Sequence, residues 1–502
     1  MTVGTVIALD GSPSTYKFAF VVDPGSKVRK GEYIEAESEQ GVVFGYINEI
    51  TRANRYFERA ESVSEYEKMG GMKKNFPVDS WDYMVGEVRV LGAFTDGMFL
   101  RAFIPPKPGS KVKPAREELL KKFLGFTEDG LLLGNLQHHE LKAIIDMTKL
   151  LQKHLAILAM SGSGKSHLAS VMLEEILERE KEKGRIAVVV VDIHGEYLGF
   201  QSDDKYSKSV KIVNGSEFKY PLRKISPEMM EEWLPNLSPP QRDLLRSSVI
   251  SLRKKKGRGE GYTLKELVQE MEESEVAGDN VKRTLKRGLR ELSRYKFISK
   301  SKEIPRLTED VSPGDMLIFD CSDITSLRKK QIMVSLLGRK LFNLRKRKKI
   351  PPFLLLLEEA HNFAPERAES YAAVSRSVIE TIAREGRKFG ASLCLISQRP
   401  VNLSTTALSQ CNTHIILRIT NPNDLDHIQM SSEGIDSRVA KSITSLKIGE
   451  GIVVGEAVNY PVFVNIRDRK STKREKGAPL HLQAKEFEEN QKKKNEQVEA
   501  FL

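Results

Sequence analysis

The clearest chemical signal in the chain is the octapeptide AMSGSGKS at 159–166. It matches a phosphate-binding loop, in which backbone N–H groups at a strand-to-helix turn surround phosphate oxygens. Gly162 and Gly164 permit the unusual backbone angles of such a turn. Lys165 supplies a positive charge to the β- and γ-phosphates, and the Ser166 hydroxyl binds Mg²⁺. The other residues predicted to contact the nucleotide are Ser161, Ser163 and His167.

Two adjacent carboxylates follow the apolar run at 353–357. Glu358 is predicted to hold the Mg²⁺ shell through water, and Glu359 to polarise the attacking water. Gln398 ends the next apolar run and is predicted to orient water beside the γ-phosphate. The alternative for Gln398 is a polar strand end that faces solvent. Together these residues predict an ATP- and Mg²⁺-dependent hydrolase.

Two arginines, Arg384 and Arg387, lie three residues apart on a predicted helix that ends before Gly390. An arginine from a neighbouring subunit can stabilise the charge on a transferring phosphoryl group. The alternative is a solvated helix end, where cations complement the helix dipole. Asp192 follows another apolar run and is a candidate to face the nucleotide.

The elements that would position these residues alternate between helix and buried strand. Continuous apolar runs at 155–160, 186–191, 316–321, 352–357 and 391–397 are typical of parallel strands covered on both faces. Residues 226–300 are predicted to be helical, with helix starts at Ser226-Pro227, Ser238-Pro239 and a capping box at Thr263–Glu266. A hairpin is expected near 451–466. The pattern predicts one α/β core interrupted by a helical insertion.

Residues 1–108 have a different pattern, with short Val-, Ile- and Phe-rich runs separated by turn residues. Such spacing predicts a small β-barrel. Charged helical segments are expected around 56–68, and an exit linker at 105–110. The domains predicted in this way are a barrel (1–108), a first core half (120–225), a helical insertion (226–300), a second core half (301–467) and a charged C-terminal arm (468–502).

The net charge of +12 over 502 residues is concentrated in two windows. The window 281–300 carries +7 and the window 321–349 carries +9, which leaves −4 for the rest of the chain. We expect the cations of both windows to lie mostly on the outer faces of helices, with RKRKK (345–349) in a loop. Focal basicity favours contact with a nucleic-acid backbone, although a solvated helix face is the alternative.

Composition also excludes several classes of protein. Three cysteines are too few for a disulfide framework and indicate a reducing compartment, so we expect a cytoplasmic protein. The strongest apolar run, 186–191, is far shorter than the ~18 residues of a membrane span, and no membrane partner is expected.

Five segments occur in an order that resembles the HerA family of archaeal DNA translocases, which is related to bacterial FtsK: HLAILAMSGSGKS, VVVVDIHGEY, FLLLLEEAHNF, IAREGRKFGASLCLISQRP and RITNPNDL. The resemblance implies a RecA-like P-loop NTPase core with an N-terminal small β-barrel and a helical insertion. It implies a homohexameric ring that threads double-stranded DNA, a NurA-type nuclease partner at the barrel side, and a nucleoid-associated role in DNA end resection during recombinational repair.

The resemblance also implies roles for matching residues. Lys165 and Ser166 would form the nucleotide loop, Glu359 the catalytic base, Gln398 the sensor, and Arg384 the finger from the neighbouring subunit. Lys153 occupies a position where relatives are expected to carry an arginine, and is a further candidate for a phosphate contact. Two other functions remain open at this point: a nucleotide-gated scaffold that recruits a nuclease, and a hexameric ATPase that moves protein.

Overall fold

The computed structural model describes residues 2–9, 12–54, 57, 63, 82–234, 236–257, 259–368, 372–432, 434–473 and 479–499. The helical segments expected around 56–68 lie almost entirely outside the described residues.

An N-terminal sheet closes into a barrel. Its strands are β1 (Gly4–Ile7), β2 (Lys17–Val22), β3 (Tyr33–Ser38), β4 (Gly41–Asn54), β5 (Asp82–Thr95), β6 (Met98–Leu100) and β7 (Lys111–Pro114). They pair in the order β2-β1-β7-β3-β4-β5-β6, and β5 also pairs with β2, which closes a ring of six strands. Phe18, Phe20 and Ile34 fill its interior. The predicted barrel is therefore present.

The last strand of the barrel corrects one expectation. β7 pairs with both β1 and β3, so the barrel cannot close without it. The segment 105–110 is consequently a loop within the barrel and not an exit linker, and the barrel extends to Pro114 instead of 108. The proline and glycine residues there are turn signals, and turn signals alone do not distinguish a loop inside a domain from a linker between domains.

A second, eleven-stranded sheet forms the α/β core. Its strands are β8 (Leu131–Leu136), β9 (Lys142–Ile145), β10 (Leu155–Leu158), β11 (Ala187–Asp192), β12 (Val210–Asn214), β15 (Met316–Asp320), β16 (Phe353–Leu357), β17 (Ala391–Ser397), β18 (Thr413–Ile416), β19 (Glu450–Gly455) and β20 (Val462–Ile466). Their order is β12-β15-β11-β16-β17-β10-β18-β19-β20-β8-β9. The first seven in this order run parallel, and the last four continue as antiparallel strands.

The helices of the described residues are α1 (Glu117–Leu124), α2 (Met147–Leu151), α3 (Lys165–Leu177), α4 (Pro227–Trp233), α5 (Pro239–Lys255), α6 (Leu264–Glu273), α7 (Asp279–Arg294), α8 (Leu307–Asp310), α9 (Leu327–Lys346), α10 (Arg376–Glu385), α11 (Thr405–Ser409), α12 (Pro422–Ser431), α13 (Ser437–Thr444) and α14 (Leu480–Glu499). None of the helices in the described part of the chain is long and apolar enough to cross a bilayer.

The helical insertion consists of α4 to α7, and its helices begin where the sequence signals place them. Ser226 caps α4, and the capping boxes Ser238–Gln241 and Thr263–Glu266 start α5 and α6. The short strands β13 (Tyr220–Pro221) and β14 (Ile298–Ser299) pair with each other at the two ends of the insertion. Leucines of α5 and α7 belong to the same hydrophobic cluster as the strands β11 and β15. The insertion is therefore packed on the core.

Candidate active site

The candidate site lies at the carboxyl edge of the parallel strands. β17 lies between β10, which leads into the phosphate loop, and β16, which leads into the carboxylate pair. Leu158 of β10 is level with Ser397 of β17, and Leu357 of β16 is level with Leu395. Because parallel strands end at a common edge, this strand order brings the loop, Gln398 and the two glutamates together.

The phosphate loop has the backbone that its glycines predict. Gly162 has φ +78° and Gly164 has φ +102°, values that favour glycine. No atom would crowd a Cβ at either position, so the requirement for glycine comes from conformation and not from space. The Ser163 hydroxyl donates a hydrogen bond of 2.7 Å to the carbonyl of Met160 and closes the turn. Helix α3 then begins at Lys165.

Lys165, Glu359 and Gln398 are in direct contact. Lys165 Nζ lies 2.9 Å from Glu359 Oε1 and 3.5 Å from Glu358 Oε1. The Gln398 side-chain amide donates a hydrogen bond to the same Oε1 of Glu359. Burial opposes the charge of the ammonium, but the neighbouring glutamates outweigh it and raise the pKa of Lys165 above its usual value. The alternative interpretation of Gln398, a polar strand end that faces solvent, is therefore excluded.

Glu359 has a third neighbour that the sequence reasoning missed. Glu359 has φ +47°, an uncommon conformation for a residue with a side chain, and it begins a short 3₁₀ turn. This turn brings His361 Nδ1 within 3.5 Å of Glu359 Oε2 and 3.1 Å of the Ser397 hydroxyl. The sequence shows a histidine two residues after Glu359, but only the 3₁₀ turn in the structure shows that its side chain contacts the glutamate.

Glu358 and Asp192 form a buried pair beneath the site. Glu358 accepts a hydrogen bond of 3.1 Å from the Ile193 amide, and Asp192 accepts three from the amides of His194, Glu196 and Tyr197. Burial, and then the charge of Asp192, raise the pKa of Glu358 to about 9. Asp192 is buried and its oxygens cap the backbone turn after β11, and its expected role facing the nucleotide stays a prediction.

A cavity of about 840 Å³ opens above these groups. It is lined by the predicted loop residues Ser161, Gly162, Gly164, Lys165, Ser166 and His167, and by Gln398. Further lining residues were not identified from the sequence: His194, Gly195, Glu196, Ser322, Arg469 and Lys473. The cavity combines N–H groups at a helix N-terminus with cations and carboxylates, which suits a polyphosphate.

Comparison with known proteins agrees with this geometry. The family model "Helicase HerA, central domain" matches residues 131–341, and the HAS barrel domain model matches residues 3–96. A probable helicase of Methanocaldococcus jannaschii is 30% identical over 90% of this chain and 88% of its own length. The chain belongs to the HerA helicase family. The DNA double-strand break repair helicase HerA of Pyrococcus furiosus is 27% identical over 93% of both chains.

A solved structure supports the fold of this HerA-family chain. VirB4 of Thermoanaerobacter pseudethanolicus aligns with a TM-score of 0.55 at 17% identity, covering 69% of this chain and 99% of that one. The α/β P-loop NTPase fold and the N-terminal barrel predicted from the sequence are thereby confirmed.

Three predicted site residues of the HerA-family chain lie elsewhere. Arg384 and Arg387 are exposed and precede β17, and Lys153 precedes β10, so all three lie at the amino edge of the sheet. Lys153 forms an ion pair with Glu456 at 2.5 Å. The seven residues of β17 separate the two edges by about 20 Å. Lys153 therefore does not reach the cavity of its own chain, and neither arginine does.

Proposed function

We propose that this chain is an ATP-driven double-stranded DNA translocase or helicase that works as a homohexameric ring. Membership of the HerA family makes it an ATP-hydrolysing enzyme of the helicase and translocase class. The observation that carries the proposal is the contact of Glu359 with both Lys165 and Gln398 beside the 840 Å³ cavity. A binding scaffold would not need a carboxylate held between a phosphate-binding lysine and a strand-end amide.

The geometry supports an exchange of partners when ATP binds. Lys165 moves its charge from Glu359 to the β- and γ-phosphates, which frees Oε1 of Glu359 to accept a proton from water. Gln398 keeps its amide on the carboxylate and orients the same water. His361, hydrogen-bonded to Ser397, limits the rotation of Glu359. Hydrolysis is then coupled to occupancy of the loop.

The residues present fit a magnesium ion. The Ser166 hydroxyl lies in the cavity at the N-terminus of α3, and the carboxyl groups of Glu358 and Asp192 lie beneath it, so these three residues offer hard oxygen atoms of the kind Mg²⁺ prefers. Ser166 would bind the ion directly and Glu358 through water. The ion supplies neutralisation of the phosphate charge.

The insertion helix α7 presents the surface that best suits a DNA backbone. Arg283, Arg287, Arg290 and Arg294 are exposed and recur at helical spacing, opposite the buried Leu285 and Leu289. Among the described residues none of the four arginines has an ion-pair partner. Their Cα atoms extend along about 16 Å of helix, a length that covers several phosphates.

Part of the second basic window is neutralised within the chain, contrary to expectation, because three of its ten cations pair with acids. Its acidic partners lie outside the window: Arg339 pairs with Glu232 at 2.7 Å, Lys340 with Glu303 at 2.6 Å and Lys346 with Glu385 at 2.9 Å. Lys330 is buried, and helix α9 continues into RKRKK as far as Lys346. We therefore assign the main DNA contact to the arginines of α7.

The remaining parts of the proposal concern partners. Arg384, on the opposite edge of the sheet from the cavity, would reach the ATP of a neighbouring subunit in a ring. The HerA relatives are named for DNA double-strand break repair, which supports DNA end resection with a NurA-type nuclease in the cytoplasm, on the nucleoid.

Two measurements on the full chain test the proposal. Native mass spectrometry is expected to give six chains, and ATPase activity is expected to rise when duplex DNA is added. Lys165→Ala should abolish the activity with and without DNA. ATPase activity that is unaffected by DNA, in a protein with no affinity for duplex at low salt, would contradict the function.

A further inference from the structure

A segment after the last strand, residues 467–473, crosses the helix that carries the phosphate loop. Its main anchor is Glu174 of α3, a carboxylate with no solvent exposure. Glu174 accepts hydrogen bonds from Arg467 Nη1 at 2.8 Å, from the Lys470 amide at 2.8 Å, and from the amide and hydroxyl of Ser471 at 2.7 and 2.6 Å. A buried carboxylate with four donors holds this segment in one position.

Other acids extend the attachment. Arg467 pairs with Glu175 and Lys470 with Glu178, at 2.8 and 2.7 Å. Thr472 donates from its amide and its hydroxyl to Asp203 at 2.9 and 3.0 Å. The anchors lie on both sides of position 469, so the direction of this side chain is set by the core and not by a free tail.

Arg469 lies between these anchors and lines the nucleotide cavity. Its Nε and Nη2 donate to Ser471 and to the carbonyl of Thr472, and its guanidinium carbon lies 5.8 Å from the centre of the Phe200 ring. The guanidinium is half-buried, and no carboxylate of the described residues forms an ion pair with it. Burial lowers the pKa of Arg469 and the nearby Glu174, Glu196 and Asp203 offset only part of this effect, while Nη1 donates no hydrogen bond within the described residues.

The charges around the cavity show what kind of counter-ion suits Arg469. Lys165 already lies between Glu358 and Glu359, and Glu196 adds a further carboxylate to the lining. Arg469 and Lys473 are the remaining cations that line this cavity among the described residues. A planar guanidinium matches two oxygens of a phosphate group, and Lys473 adds a point charge.

We propose that Arg469, with Lys473 beside it, binds the phosphate groups of the nucleotide, so that segment 467–473 is a part of the ATP site. This inference rests on the proposed ATP site at Lys165. The proposal makes residues beyond the last strand necessary for nucleotide affinity. It also gives α3 a second role, because Glu174 of this helix anchors the segment that positions Arg469.

The test compares equilibrium binding of ATP and of inorganic tripolyphosphate to the full chain without DNA. Arg469→Ala is expected to raise the Kd of both ligands by about 10- to 100-fold, the loss of a charge-assisted hydrogen bond. Arg469→Lys should give a smaller increase in Kd, because lysine keeps the positive charge but lacks the planar guanidinium that can donate two parallel hydrogen bonds. Lys205→Ala is the matched control, since Lys205 pairs with Glu178 outside the cavity and should leave both Kd values unchanged.

Three results would overturn the inference. One is an unchanged Kd for both ligands in Arg469→Ala. Another is weaker ATP binding with unchanged tripolyphosphate binding, which would place Arg469 at the base or ribose. The third is a loss of the same size in the control Lys205→Ala, which would indicate that removal of any cation near α3 weakens binding. These binding measurements do not depend on DNA, so they stay distinct from a failure of the proposed motor function.

Discussion

At the scale of single residues, the site is organised around Glu359. Lys165, Gln398 and His361 approach its carboxylate from three different elements. A left-handed backbone at Glu359 directs the carboxylate to this meeting point, and such strain at a polar, buried residue is typical of a functional position. The carboxylate forms an ion pair with Lys165, the lysine proposed to bind the phosphates of ATP, which gives a direct prediction.

Glu359→Gln is expected to lower kcat by about 10²- to 10⁴-fold, because the amide cannot accept the proton of the attacking water. ATP affinity should stay the same or increase, since Lys165 loses an ion pair that competes with the phosphates. Single-turnover hydrolysis and equilibrium ATP binding measure the two effects separately. A variant that hydrolyses ATP at the wild-type rate would exclude Glu359 as the base.

At the scale of elements, α7 uses its two faces for different purposes. Leu285, Leu289 and Leu292 are buried against the insertion, whereas the four arginines project to solvent. Lys286, between them in sequence, pairs with Glu272 of α6. Within the described residues, the same helix therefore carries both unpaired and paired cations, and the paired lysine is an internal control.

The double variant Arg287→Ala/Arg290→Ala is expected to weaken duplex binding and to reduce the slope of log K against log[salt] by roughly 1.8, about 0.9 for each phosphate that is no longer neutralised. Lys286→Ala should leave the slope almost unchanged, because its charge is already used by Glu272. Binding isotherms between low and moderate salt supply both slopes. Equal slopes in the double variant and the wild type would remove α7 from the DNA surface.

A buried histidine joins three elements of the core and makes the fold sensitive to acid. His154 precedes β10; its Nδ1 accepts from the Leu393 amide at 3.0 Å and its Nε2–H donates to the Ala383 carbonyl at 2.9 Å. Both nitrogens are therefore used by the neutral ring. Burial lowers the pKa of His154 to about 4 from its ordinary value of 6.5.

Between these two values the unfolded chain binds the proton and the folded chain does not, so stability falls as pH decreases from 6.5 towards 4. At pH 5 the loss from this residue is about 2 kcal/mol. His154→Asn keeps a donor, an acceptor and tolerance of the left-handed backbone at this position, φ +62°. Urea unfolding at pH 7.5 and 5 should show a smaller pH effect in this variant; an undiminished effect would assign the acid sensitivity to other groups.

At the scale of the whole molecule, the two edges of the core sheet carry complementary parts of the proposed catalytic apparatus. The cavity lies at the carboxyl edge, and Arg384 lies at the amino edge, exposed and about 20 Å away. A single chain cannot bring them together. A ring of identical subunits with head-to-tail contacts can do so at every interface.

Mixing subunits tests this arrangement. Homogeneous rings of Glu359→Gln or of Arg384→Ala are each expected to be inactive. Rings assembled from equal amounts of the two variants should regain ATPase activity at roughly a quarter of the interfaces, where an intact Glu359 faces an intact Arg384. A mixture of Glu359→Gln with Lys165→Ala is the matched comparison. Both substitutions inactivate the ATP site of their own subunit, so no interface in such a ring has an intact catalytic subunit and no recovery is expected. Absence of recovery in the first mixture would place Arg384 outside the shared site.

The sequence by itself determined the parts of this protein that depend on local pattern. These parts are the loop at 159–166, the buried parallel strands, the caps of the insertion helices and the glutamate pair. Each depends on a short segment, since hydrophobic periodicity, helix capping and turn chemistry act over a few residues. The sequence also predicted that Lys165, Glu359 and Gln398 belong to one nucleotide site, but their direct contacts were found only in the structure.

Only the tertiary structure decided which distant segments share a surface. It showed that β7 closes the barrel, that Asp192 caps a turn, that three cations of α9 pair with acids from other elements, and that Arg469 lines the nucleotide cavity. The hairpin of β8 and β9 and the edge strand β12 were likewise not found from the sequence. Local patterns do not show which segments meet. Ion pairing and burial depend on partners that lie tens to hundreds of residues away, such as Glu303 for Lys340 and Glu174 for Ser471.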